Sequence, residues 1–146
     1  MDIEEFDALK TKMLKYIMYK KRTEAEIRQK FANIDGNDLD DAIEYFKEAG
    51  YIDDSNYIER AVQEFISINT LSIKEIKYKL FQKGLDKNLI DDYIYEHEDE
   101  LQEYEKNCAE KIYNKKMNSM EEKEIVNFLI KKGYREDSIK NIKEYK

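Results

Sequence analysis

The 146-residue sequence contains no proline, no tryptophan and only four glycines. Valine and threonine are also rare, so the chain lacks the turn residues and the varied β-branched residues that a β-protein needs. The absence of long uncharged apolar runs excludes a transmembrane helix, and the acidic start Met1-Asp2-Ile3-Glu4-Glu5 is unlike a secretory signal. These shortages predict an all-α protein of the cytoplasm, with no membrane partner.

Residues that support catalysis or metal binding are equally scarce. The single cysteine, Cys108, excludes an internal disulfide and a multi-cysteine zinc site. It falls on an apolar stripe, so we expect it in the core, whereas His97 stands among acidic residues and is expected to be a solvated surface side chain. The sequence has no phosphate-binding glycine loop, paired catalytic carboxylates or nucleophile motif. It therefore predicts a non-enzymatic protein without cofactor or metal site.

The chain repeats itself every 49 residues, because Glu-Ile pairs begin at positions 26, 75 and 124. The same offset relates Gly84 to Gly133 and Arg28 to Lys77. Hydrophobic residues make up 41% of the chain, which is enough for a core. Repetition at a fixed period indicates tandem structural units that cover each other's apolar faces. We predict three such units at residues 1–54, 55–100 and 101–146, stacked into an elongated, curved array.

Each unit is predicted to contain three helices. Thr23-x-x-Glu26 and Ser72-x-x-Glu75 are capping boxes that begin the second helices of units one and two. In unit three Ser119-x-x-Glu122 predicts a slightly earlier start. Apolar residues at i, i+3 and i+4 spacing define the helix faces; for the second helix of unit two they are Ile73, Ile76, Leu80 and Phe81. A break near Glu98-Asp99 is expected between the sixth and seventh helices.

Two turns carry a family resemblance. The first is Gly50-Tyr51-Ile52-Asp53-Asp54, and the second is Lys83-Gly84-Leu85, which unit three repeats as Lys132-Gly133-Tyr134. From about Leu14 to Ile142 the chain resembles the RecX family of bacterial recombinase regulators. The resemblance implies tandem three-helix repeats that bind in the groove of a RecA filament on single-stranded DNA and suppress ATP hydrolysis and strand exchange. Ser72 and Glu75 stand where the family usually has a glycine and a basic residue.

The residues of the first turn also have structural roles that follow from their chemistry. Gly50 is expected to end a helix in the left-handed conformation. Asp53 is expected to cap the fourth helix and Asp54 to complement its dipole. Tyr51 and Tyr134 each follow a turn glycine, and we expect both to pack between helices.

The distribution of charge suggests where a partner binds. The net charge is −7, but residues 105–146 carry eleven basic against eight acidic side chains, while both preceding units are acidic. Basic residues gather around the second helices and are either ordinary solvated faces or a basic stripe that contacts phosphates or an acidic partner surface. The candidates are Lys20, Lys21, Arg22, Arg28, Lys30, Lys74, Lys77, Lys79, Lys83, Lys115, Lys116, Lys131, Lys132 and Arg135.

Three functions remain open at this point. The first is a monomeric regulator of RecA filaments that contacts single-stranded DNA weakly or indirectly. The second is a helical-repeat adaptor that binds an unrelated protein, which the acidic first two units favour. The third is direct DNA binding by the three-helix units, which would need a recognition helix with base-reading side chains.

Overall fold

The computed structural model describes residues 1–145, and it describes the side chains of all of them except Asn141 and residues 143–145. This part of the chain forms nine α-helices, which confirms the all-α prediction. They are α1 (Ile3–Tyr19), α2 (Glu24–Lys30), α3 (Gly36–Glu48), α4 (Asp54–Ile68), α5 (Ile73–Gln82), α6 (Lys87–Glu96), α7 (Glu98–Lys116), α8 (Glu122–Lys132) and α9 (Glu136–Tyr145). Three successive helices form each unit, and we propose that the units divide where these groups meet.

The second helices of units one and two begin as predicted. The Thr23 hydroxyl accepts a hydrogen bond from the Glu26 N–H at 3.1 Å, and the Glu26 carboxylate accepts one from the Thr23 N–H at 3.0 Å. Ser72 and Glu75 form the same reciprocal pair. Both capping boxes are therefore confirmed.

The start of α8 differs from the prediction. This helix begins at Glu122, with Glu121 at its N-cap. The N–H of Ser119 instead donates to the carbonyl of Lys116, in the turn that follows α7. The expected earlier start was wrong because Ser119 belongs to the turn that follows α7.

The described apolar side chains form two cores. Ile27 lies in the core of unit one, while Ile76 and Ile125 share a second core that runs through units two and three. All three isoleucines are buried, so the positions related by the 49-residue offset are alike in burial although they do not all share one core. The first joint, between units one and two, therefore connects two separate cores, and the second joint, between units two and three, lies beside a continuous one.

One residue of the predicted apolar faces lies outside both cores. Phe81 is 60% exposed, whereas its neighbour Leu80 is buried. Successive residues of a helix are rotated by about 100°, so Phe81 points away from the face that Leu80 occupies. Its placement in the core was wrong.

The predicted break before the seventh helix is confirmed. Helix α6 ends at Glu96 and α7 begins at Glu98. His97 between them is half-buried, because its ring stacks on Tyr93 with centroids 4.0 Å apart and its Nδ1 lies 2.9 Å from the Tyr93 carbonyl oxygen. The expectation of a solvated histidine was wrong in this respect.

No helix within the described residues combines the length and hydropathy needed to span a bilayer. The curvature of the array stays a prediction.

Candidate functional site: the joints between the units

The second helices of neighbouring units meet end to end at both joints. At the first joint the Thr23 hydroxyl donates to the carbonyl of Lys83 at 2.8 Å. At the second joint Ser72 donates to the carbonyl of Lys132 at the same distance. Each hydroxyl thus caps the start of its own helix and also satisfies a C-terminal carbonyl of the next unit, a group that has no partner inside its own helix.

The glycine that ends each second helix makes this close approach possible. Gly84 has a φ of +79°, and a Cβ placed on it would lie 2.4 Å from the Cβ of Ala25. Gly133 has a φ of +100°, and its Cβ would lie 2.9 Å from the Cβ of Lys74. A side chain at either position would therefore meet both backbone strain and a steric clash. The repeated Lys-Gly turn is a feature of the joints.

The lysine of each Lys-Gly turn forms an ion pair across the joint. Lys83 Nζ lies 3.8 Å from Glu26 Oε2, and Lys132 Nζ lies 3.8 Å from Glu75 Oε2. Both glutamates belong to the capping boxes. Two lysines predicted as partner contacts thus also have partners within the chain.

A carboxylate on the helix that follows each group of three, α4 or α7, completes each joint. Asp54 accepts a hydrogen bond from the Glu24 N–H at 2.9 Å, and Glu105 accepts one from the Ile73 N–H at 2.8 Å. Glu24 and Ile73 are the first residues of α2 and α5. A negative charge at this end of a helix is stabilising because the helix dipole is positive there. Asp54 therefore accepts a hydrogen bond from the start of α2, and it also lies in the first turn of α4.

The two joints differ in how deeply this carboxylate is buried. Glu105 is fully buried, and its Oε1 also accepts hydrogen bonds from the N–H and Nε of Arg135 and from the Ser138 hydroxyl, at 2.9–3.1 Å. Asp54 is half-buried. The carboxylate that completes the second joint is therefore more deeply buried than the one at the first joint.

Three adjoining depressions lie at the first joint, with volumes of about 500, 250 and 490 Å³. All three are lined by Tyr57, so we call them together the first-joint groove. Three acidic residues line it, and Glu26 and Asp53 among them act as helix caps. The basic residues of the groove are Lys20, Lys21, Arg22, Arg60, Lys79 and Lys83.

Among the described residues, five of the fourteen predicted contact residues form ion pairs. Besides Lys83 and Lys132, they are Arg28, which pairs with Glu24 and Asp40; Lys77, which pairs with Asp91; and Arg135, which pairs with Glu105. Their charges are partly neutralised, which reduces what they can offer to an external anion.

The other nine candidates have different surroundings. Arg22 and Lys30 lie over the ring of Tyr16, Lys116 lies over the ring of Phe128, and Lys21 donates to the side chain of Asn56. The remaining five form neither an ion pair nor a ring contact within the described residues: Lys20, Lys74, Lys79, Lys115 and Lys131. Of these, Lys20 and Lys79 line the first-joint groove. A single basic stripe along all three units stays a prediction.

Sequence comparison places this geometry in a known family. No protein-family model matches the chain. The regulatory protein RecX of Finegoldia magna is 31% identical over 152 residues, which cover 97% of this chain and 73% of the relative. The chain belongs to the RecX family of regulatory proteins. RecX of Clostridium beijerinckii is also 31% identical, over 90% of this chain and 64% of its own length. The chain thus spans slightly less than two thirds of that relative.

Solved structures agree with the RecX assignment. A crystal structure of RecX from Lactobacillus salivarius superposes with a TM-score of 0.80 at 25% identity, over 97% of this chain and 96% of that one. Another crystal structure of the regulatory protein RecX gives a TM-score of 0.77 at 26% identity. The predicted fold of tandem three-helix repeats is therefore confirmed.

The residues of the RecX-like first turn mostly have the expected roles. Gly50 follows α3 with a φ of +83°, and Asp53 caps α4 by accepting a hydrogen bond from the Asn56 N–H at 3.0 Å. Tyr134 is buried and its hydroxyl donates to the carbonyl of Thr70. Tyr51 remains about half exposed, with its ring edge-on to Phe46, so it packs between helices less completely than predicted.

The pKa values of two carboxylates at the first joint are shifted in opposite directions. Burial raises the pKa of Asp54 even though the Glu24 N–H donates to it. Burial would also raise the pKa of Glu24, but hydrogen bonds from Lys47 and Arg28 outweigh it, so that pKa is lowered. Both carboxylates lie at the start of α2, and ionisation of Asp54 is the less favourable of the two.

Cys108 is buried, as predicted, and its Sγ lies 2.9 Å from Asn69 Oδ1. Burial raises the pKa of this thiol, so it stays protonated at neutral pH and is a poor nucleophile. Among the described residues no cluster of His, Cys, Asp and Glu could hold a metal ion.

Sequence reasoning missed three residues that matter in this RecX-family chain and misplaced a fourth, Phe81. Arg60 is in the groove, but it lies on α4 and was not grouped with the second helices. Glu105 has partners about 30 residues away, which no local pattern reveals. Tyr78 and Phe81 are exposed on α5, and their helical register relative to Leu80 was the available signal.

Proposed function

We propose that the chain is a non-enzymatic regulator that binds RecA filaments formed on single-stranded DNA and inhibits their ATP hydrolysis and strand exchange. The RecX family assignment, with 31% identity over most of the chain, carries this proposal. The first-joint groove supports it, because Lys20 and Lys79 have no carboxylate partner within the described residues and can pair with an external anion.

The proposed mechanism is non-covalent. The hydrogen bonds of the two joints hold neighbouring second helices end to end, so the array presents a continuous surface to successive subunits of a filament. Occupying that surface would obstruct filament extension or turnover.

Direct affinity for DNA is expected to be weak. Electrostatic binding to nucleic acid depends on the number of phosphates that basic side chains neutralise. Here the net charge is −7, and five of the candidate cations already pair with carboxylates of the chain. We therefore propose that the recombinase provides most of the contact.

The test is the ATPase rate of RecA on single-stranded DNA with stoichiometric protein. We expect the wild type to lower the rate and the double variant Lys20→Glu/Lys79→Glu to lose most of this inhibition. Lys87→Glu is the control, because it reverses an exposed charge on α6 outside the groove. An unchanged rate with the wild type would refute the proposed function. Equal inhibition by the wild type and the double variant would show that the first-joint groove is not needed for the proposed function.

A further inference from the structure

Two aromatic side chains stand out on the surface of α5. Tyr78 is 62% exposed and Phe81 is 60% exposed, and neither ring contacts another ring or a cation among the described residues. They are three residues apart, so they lie on the same face of the helix. Burying both rings against a partner would be favourable. Two exposed aromatic rings on one helix face therefore suggest a binding surface.

The same face carries lysine. Lys74 precedes Tyr78 by one helical turn, and its stem lies beside Gly133 at the second joint. Lys77 precedes Phe81 by one turn and forms an ion pair with Asp91. The only acidic residue of α5, Glu75, is turned toward Ser72 and Lys132 in the capping box. Lys74 is therefore the lysine of this face that has no carboxylate partner among the described residues, whereas Asp91 partly neutralises Lys77.

We propose that Tyr78, Phe81 and Lys74 form a stacking platform for the unpaired bases of a single-stranded nucleic acid. Platforms of this kind combine aromatic faces, on which bases stack, with cations that follow the phosphate backbone. Interfaces between proteins are also rich in aromatic residues, but they are depleted of lysine. The lysines on this face thus favour a nucleic acid over a protein surface.

The inference deepens the proposed function, because it specifies where the single strand is contacted. It concerns a different surface from the first-joint groove, since Tyr78 and Phe81 are not among the groove's lining residues. It can be tested on naked oligonucleotides without recombinase, so its failure leaves the ATPase result untouched.

Tyr95 provides a matched control. It is 78% exposed on α6, so it is as accessible as the platform rings. Its neighbours along the helix include Asp92 and Glu96, which would repel phosphates. Substituting it removes an exposed aromatic ring and leaves Tyr78, Phe81 and Lys74 unchanged.

The experiment measures fluorescence anisotropy of a labelled oligothymidine and of an abasic chain with the same phosphates, at low salt. We expect Tyr78→Ala/Phe81→Ala to weaken binding to oligothymidine about tenfold or more and to leave the weak affinity for the abasic chain unchanged. Tyr78→Phe/Phe81→Tyr, which keeps both rings, and Tyr95→Ala should bind like the wild type. Lys74→Ala should weaken binding to both chains, because it removes a phosphate contact.

Two results would overturn the proposal. One is equal affinity of the wild type and Tyr78→Ala/Phe81→Ala for oligothymidine, including the case in which neither binds at low salt. The other is an equal loss in Tyr95→Ala. Because the substituted side chains are exposed, the thermal midpoint of each variant should match that of the wild type, and a circular-dichroism melt checks this.

Discussion

At the scale of single residues, the glycines show how the joints constrain the chain. Gly84 combines a positive φ with contact to Ala25, Gly50 has a positive φ in open space, and Gly36 has open space and an ordinary φ. Replacement by alanine adds the same methyl group to three different environments. Comparing the three losses in free energy of unfolding therefore separates the effect of backbone strain from that of the clash at the joint.

We expect Gly36→Ala to change the free energy of unfolding by less than about 0.5 kcal/mol. Gly50→Ala should cost about 1–2 kcal/mol, because a residue with a Cβ is strained in the left-handed region. Gly84→Ala should cost about 1–3 kcal/mol more, because its Cβ also overlaps Ala25. Urea denaturation measures all three, and equal effects of Gly84→Ala and Gly50→Ala would contradict the close approach at the first joint.

Glu105 gives a second prediction at this scale. Its removal leaves the N–H groups of Ile73 and Arg135 and the hydroxyl of Ser138 without their acceptor, and each buried donor left unpaired costs about 1–3 kcal/mol. We expect Glu105→Ala to lower the free energy of unfolding by about 3 kcal/mol or more. Glu103→Ala, an exposed position on the same helix, is the control and should have little effect.

At the scale of elements, the structure shows which parts of the helix pattern were predictable. Both capping boxes were found from sequence, since all their partners lie within four residues along the chain. The second bond of Thr23, to the carbonyl of Lys83, spans 60 residues, so it could not be found in the same way. Phe81 was misplaced because an apolar residue next to Leu80 was counted on the same face although the helix turns it away.

Asp54, which accepts a hydrogen bond at the start of α2, gives a prediction about how the free energy of unfolding depends on pH. The folded state raises the pKa of Asp54, so folding favours its protonated form. The stability that this group contributes is present below its unfolded pKa, near 4, and is lost as pH rises through the folded pKa. We expect Asp54→Asn, which keeps an acceptor for the Glu24 N–H, to flatten the fall in stability over that window.

The measurement is urea denaturation of both proteins at a series of pH values from 3 to 7. Glu24 has the opposite sign, because its lowered pKa makes its contribution disappear as pH falls. It is present in both proteins, so the difference between their curves reports Asp54 together with its electrostatic interaction with Glu24. Parallel curves would show that Asp54 does not titrate differently in the folded state.

At the scale of the whole molecule, the array is less uniform than its sequence period suggests. The 49-residue offset predicted equivalent units, and the joints do repeat their hydroxyl, glycine, ion-pair and carboxylate contacts. The cores do not repeat, because units two and three share one while unit one has its own. Periodicity along the chain indicates which residues are apolar, but not how far the apolar contact continues across a joint.

This asymmetry predicts that unit one opens independently. Native-state hydrogen exchange should give a lower opening free energy for the amides of Ile27 and Ile43 than for those of Ile76 and Leu129, because separate cores form separate cooperative units. A single opening free energy for all four would mean that the chain unfolds as one unit.

The central claim is that the stacked units bind a recombinase filament through the first-joint groove. Co-sedimentation with RecA filaments on single-stranded DNA tests it most directly. The account predicts that the wild type and Lys87→Glu pellet with the filaments at stoichiometric concentration, while Lys20→Glu/Lys79→Glu stays largely in the supernatant. Wild-type protein that remains in the supernatant, or a double variant that pellets equally well, would contradict it.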